Sequence, residues 1–81
     1  MTREEAIEII KETKADYSQK QRVLRGLQIL AKYDDNLDLS FEHDQMWAGS
    51  FDKTVASMTR DDCVELARCG WFESYESWSH F

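Results

Sequence analysis

The amino-acid sequence predicts a single α+β domain spanning residues 1–81. Two N-terminal helices, a β-hairpin, a third helix and a final strand follow in the order ααββαβ, with a small antiparallel sheet packed on the helices. Three observations carry this. Apolar residues recur at helical spacing through the first third of the chain, at period two around residue 40, and at helical spacing again after Thr59. A length of 81 residues is one domain. The composition is 42% hydrophobic and 12% aromatic, which supplies a core and argues against disorder.

Residues 2–15 read as the first helix. Thr2 stands three residues before Glu5, the spacing of a capping box, and Ala6, Ile9, Ile10 and Thr13 form the stripe. Glu4 and Glu5 oppose the positive end of the helix dipole, and Lys11 and Lys14 the negative end. Asp16, Tyr17 and Ser18 break the pattern. Ser18 is the expected N-cap of a second helix over 19–33, with Gln21 at N3. Its apolar stripe is Val23, Leu24, Leu27, Leu30 and Ala31, and Gly26 offers a close approach for helix one. The short connection makes the two helices antiparallel neighbours.

Leu37, Leu39 and Phe41 alternate with Asp38, Ser40 and Glu42, the pattern of a strand with one buried face. His43-Asp44-Gln45 reads as a turn and Met46-Trp47-Ala48 as the returning strand, stopped by Gly49. Residues 49–58 read as a loop anchored by Phe51 and Val55. Thr59 caps a third helix over 60–69, with Asp61 and Asp62 in its first turn. Cys63, Leu66 and Ala67 are its buried face, and Gly70 the left-handed residue that ends it. Trp78 to Phe81 read as the final strand.

Charge is laid out unevenly. Residues 1–33 carry seven basic and five acidic side chains, whereas residues 34–81 carry three basic and eleven acidic ones. Asp34, Asp35, Asp38, Glu42 and Asp44 fall in one stretch without a cation. Such asymmetry speaks of partners rather than of fold.

Chemistry is sparse. His43 lies between two acids and reads as a turn histidine that bonds a neighbouring carboxylate or backbone group. Cys63, Cys69, His43 and His80 lack the close ligand pairs of a zinc site, so no metal or cofactor is expected. Six residues apart on a helix, the two cysteines lie about 9 Å apart along its axis, beyond the Cα separation of about 7 Å that a disulfide spans. Asp61, Asp62 and Glu65 surround Cys63 and oppose a thiolate there. No glycine-rich phosphate loop is present. The expectation is a chain without catalytic residues, not an enzyme. Free thiols, no apolar signal segment and no membrane-length apolar run point to a reducing cytoplasm.

The polar face of the second helix carries Lys20, Arg22, Arg25 and Lys32 with Gln21 and Gln28. It supports an alternative role as a small DNA- or RNA-binding regulator. The acidic half of the chain opposes nucleic acid, so direct binding is disfavoured. The aromatics Trp47, Phe51, Trp71, Phe72, Tyr75, Trp78 and Phe81 read chiefly as core. They exceed what one small core needs, which leaves room for interface positions and for a homodimer.

From His43 to Phe81 the chain resembles a type of small acidic protein encoded in phages and prophages. The residues that carry the resemblance are Glu42-His43-Asp44, Met46-Trp47-Ala48-Gly49, Thr59-Arg60-Asp61-Asp62, Gly70-Trp71-Phe72 and Ser77-Trp78. It covers about half the chain and does not reach the first two helices. In size and charge the chain is similar to phage inhibitors of host defences, anti-CRISPR proteins among them. That likeness implies a protein-binding module whose acidic surface blocks a host nucleic-acid-binding complex. The expected contacts are Asp34, Asp35, Asp38, Glu42, Asp44, Asp52, Asp61, Asp62 and Glu65, with Trp47 as an apolar anchor.

Overall fold

The computed structural model describes residues 1–81, apart from the side chains of Gln19 and Lys20. It is an α+β fold of four helices and a four-stranded antiparallel sheet. Helix α1 runs Arg3–Glu12 and begins at the expected capping box. The Glu5 N–H donates to Thr2 Oγ1 at 3.2 Å, and the Thr2 N–H donates to the Glu5 carboxylate at 3.0 Å. The helix stops at Glu12 rather than at residue 15. The Asp16 and Tyr17 N–H groups instead donate to the Arg68 carbonyl at 3.0 and 3.3 Å, which draws this segment onto the last turn of a later helix.

Helix α2 runs Gln19–Ala31. Ser18 stands at the N-cap but makes no side-chain cap hydrogen bond. The buried face is also turned from the expected stripe. Gly26, Ile29 and Leu30 are buried, Val23 and Leu27 half-buried, and Leu24 and Ala31 exposed. The cause is Trp71, not helix α1. Its indole lies against Gly26, where any Cβ would overlap it, and its N–H donates to the Arg22 carbonyl at 2.8 Å. This rolls the 22–26–29 side of the helix inward.

Strands β1 (Leu39–Glu42) and β2 (Gln45–Ser50) form the expected hairpin, with His43 at φ 54° in its turn. The stretch read as a loop holds a helix, α3 (Phe51–Ser57). Ser50 caps it by accepting the Lys53 N–H at 3.3 Å, and both expected anchors, Phe51 and Val55, are buried. Helix α4 (Arg60–Arg68) begins where Thr59 Oγ1 accepts the Asp62 N–H at 3.2 Å. It ends at Gly70 with φ 83°. There the Gly70 and Trp71 N–H groups return to the Ala67 and Leu66 carbonyls, a Schellman closure.

A second hairpin follows where a single strand was expected. Strand β3 (Phe72–Ser74) pairs with β4 (Ser77–His80) across Tyr75 and Glu76, whose φ values are 51° and 64°. The sheet order is β1-β2-β4-β3. Cross-strand register puts Leu39, Ala48, Trp78 and Glu73 on one face and Ser40, Trp47, Ser79 and Phe72 on the other. The helices cover the first face. Trp78 packs on Phe51 at 4.7 Å between centroids and donates its indole N–H to Thr54 Oγ1 at 2.9 Å. His80 packs on Trp71 at 5.3 Å, with Nε2 3.0 Å from the Cys69 carbonyl. Strand β1 has no buried side, contrary to its alternating pattern. It is an edge strand, and all four of its residues are exposed.

A candidate protein-binding surface on the edge hairpin

The geometry sorts the nine expected acidic contacts into two groups. Four acids are engaged by the protein's own cations. Asp34 is buried, accepts the Asn36 N–H at 3.1 Å and pairs with Lys53 at 3.5 Å. Asp52 pairs with Arg3 at 2.8 Å. Asp62 pairs with Lys32 at 2.7 Å and accepts the Tyr33 hydroxyl. Glu65 accepts the Tyr17 hydroxyl at 2.6 Å and lies 3.5 and 3.6 Å from Arg25 and Arg68. Burial pushes the Asp62 carboxyl up, but Lys32, Tyr33 and Thr59 together outweigh it and hold the group below the usual carboxylate range. These acids join helices to one another and to the loop before β1, and they are not a continuous outward wall.

Asp35, Asp38, Glu42, Asp44 and Asp61 are exposed and make no ion pair with a lysine or arginine among the described residues. Asp61 stands apart, in the first turn of α4. The other four flank one element. Asp35 and Asp38 precede β1, Glu42 ends it, and Asp44 sits in its turn. Between them Leu39 is 47% exposed and Phe41 69% exposed. No lysine or arginine occurs from residue 33 to residue 52.

Trp47 lies on β2, half-buried on the open face of the sheet. Its indole N–H and the neighbouring Ser79 hydroxyl are buried without a hydrogen-bond partner among the described residues. A shallow cleft of about 690 Å³ runs past Asp34, Asp38, Ser40, Trp47, Lys53 and Glu76. Leu39 and Phe41 make an exposed apolar edge on one face of β1, and Asp38 and Glu42 stand on the other, with Lys53 at the cleft already paired to Asp34. The arrangement can attract a cationic surface and then bury apolar area against it.

Leu39 and Phe41 were expected inside. Period two cannot tell a strand whose apolar side meets helices from one that overhangs them. The signal that marks them is the acid on both sides of so short a run.

The remaining chemistry-bearing groups are dispersed. Cys63 is fully buried, and burial pushes its thiol up to about 11. Cys69 is buried and raised in the same way. His43 is exposed in the first hairpin turn, 3.9 Å from Glu42, whereas His80 is in the core. On α2, Arg22 donates to the Tyr17 and Ala15 carbonyls at 2.6 and 3.3 Å. Arg25 and Lys32 pair with acids of α4, and the Lys20 side chain lies outside the described residues. No helix is long and apolar enough to cross a membrane. Comparison with known proteins finds no matching family model, no matching curated sequence and no matching solved structure.

Proposed function

We propose that this chain is a protein-binding module that engages a basic partner through its β1–β2 edge hairpin. One observation carries the reading: exposed Leu39 and Phe41 stand between four carboxylates, Asp35, Asp38, Glu42 and Asp44, with no cation of their own stretch of chain to answer them. Apolar side chains left in water at a sheet edge stabilise a complex when covered, at about 25 cal/mol per Å² removed from water. The flanking acids choose which surface covers them and speed its approach.

The partner class that fits is a host protein whose lysines and arginines ordinarily hold nucleic acid. Occupying that surface would make the chain an inhibitor of the anti-CRISPR type. This finer reading is supported by the charge complementarity and by the likeness to phage-borne acidic proteins. The alternative role in nucleic-acid binding gains no support from α2, because its described cations are spent on internal carbonyls and carboxylates.

The test is affinity capture from a bacterial lysate with two baits. One is the native chain, and the other carries Asp35→Asn, Asp38→Asn, Glu42→Gln and Asp44→Asn. A nucleic-acid-binding protein that the first bait retains and the second releases supports the proposal. Equal retention by both baits refutes it.

A further inference from the structure

Strand β1 is the outermost strand of the sheet and pairs on one side only, with β2. The Gly49 N–H donates to the Asp38 carbonyl at 2.8 Å, which turns the backbone of Asp38 towards β2. Successive residues of a strand turn their polar groups to opposite sides. Ser40 and Glu42 therefore also face β2, and Leu39 and Phe41 aim their N–H and C=O groups outward. The residues with open backbone valences are thus also the two exposed apolar residues of the strand. Proteins blunt such an edge with shortness, charge, proline or a covering element; β1 is short and ends in Glu42, but it has no lysine and no proline.

The side chains of β1 define what would complete it. Leu39 and Phe41 project from one face, and Asp38, Ser40 and Glu42 from the other. An added strand places its own side chains beside these. It needs apolar residues next to Leu39 and Phe41, and cations next to Asp38 and Glu42. A second copy of this chain fits poorly. Antiparallel self-pairing about Ser40 sets Asp38 opposite Glu42 at both ends, and like charges directly opposite destabilise a sheet.

We propose that the free edge of β1 receives an extended segment of a partner protein as a fifth strand, and that this segment alternates apolar with basic residues. The inference rests on the reading of the hairpin as a protein-binding surface and adds its mode: main-chain hydrogen bonds supply affinity, and the alternating side chains supply selection.

The probe is a fluorescent peptide of about eight residues alternating valine and lysine, titrated against the whole chain by anisotropy. Two further peptides carry N-methyl groups on either the valines or the lysines. Only one edge of the added strand faces β1, so blocking that edge should weaken binding about tenfold. Blocking the other should leave binding unchanged. Exchange of the Leu39 and Phe41 amides should slow on binding of the parent peptide.

Failure of the parent peptide to bind at low salt overturns the proposal. So does equal affinity of the two methylated forms. If both methylated forms bind like the parent while Asp38→Asn with Glu42→Gln abolishes binding of all three, the acidic surface stands and the fifth strand falls. A chain that dimerises with the Leu39 and Phe41 amides already protected, before peptide is added, names a second copy as the occupant and also overturns it.

Discussion

Gly26 lies under the indole of Trp71, and a Cβ at that position overlaps the ring. Alanine there gains about 1 kcal/mol of helix propensity. Displacing a core tryptophan and its hydrogen bond to the Arg22 carbonyl costs more, because overpacking a tight interior typically costs about 1–3 kcal/mol. The expected outcome for Gly26→Ala is a net loss of about 1–2 kcal/mol, read from the urea midpoint at unchanged slope. A more stable variant would show that Trp71 can move aside.

Asp62 gives a second measurement at this scale. Its folded carboxyl titrates below its ordinary value. The stabilisation from Lys32 and Tyr33 is therefore present in full above about pH 4 and is lost as pH falls through the folded value. Asp62→Asn should be less stable than the native chain at pH 7, with a gap that narrows on acidification. A gap that stays constant with pH would place the effect in packing.

The thiols make a third. Cys63 and Cys69 are each fully buried with raised pKa. An aromatic disulfide reagent at about pH 8 should label both at the rate of unfolding and neither in the native state. Rapid labelling under native conditions would contradict their burial.

At the scale of elements, helices with caps and stripes were legible, and edges and short pieces were not. Thr2 with Glu5, and Thr59 with Asp62, mark their helix starts through hydrogen bonds that neighbours in sequence make by themselves. Helix α3 escaped because seven residues show barely two turns of periodicity, and Ser50 announces it only through the Lys53 backbone N–H. The β3–β4 hairpin escaped because its turn uses Tyr75 and Glu76 at positive φ, where glycine or asparagine is the usual cue. The roll of α2 was unreadable because a residue 45 positions beyond Gly26 decides it.

For the candidate site, the acids of the hairpin were legible from composition, and their separation into free and engaged groups was not. Asp52, Asp62 and Glu65 meet partners far away in the chain, such as Arg3, Lys32 and Arg25. The edge position of β1 makes its own prediction. Leu39→Ser with Phe41→Ser should cost no more than about 1–2 kcal/mol, since Phe41 is mostly in water and Leu39 about half so. The same double variant should lose partner capture. Loss of stability of several kcal/mol would mean that β1 is part of the core.

For the whole molecule, the net charge of −6 is the remainder of a sorted distribution. Internal ion pairs bind α1 to α3, the loop before β1 to α3, and α2 to α4. Among the described residues, what remains unpaired lies mainly in two places: Asp35, Asp38, Glu42 and Asp44 around the β1–β2 hairpin, and Glu4, Glu5, Glu8 and Glu12 along α1. Encounter with a cationic partner should therefore be salt-sensitive. Raising ionic strength shortens the screening length from about 10 Å at 0.1 M to about 3 Å at 1 M and should slow association more than it speeds dissociation. The most direct measurement is amide hydrogen exchange of the chain alone and in the captured complex. Slowed exchange centred on residues 35–45, with α2 unchanged, is the predicted footprint. Protection confined to α2, with the hairpin exchanging as in the free chain, would contradict the account.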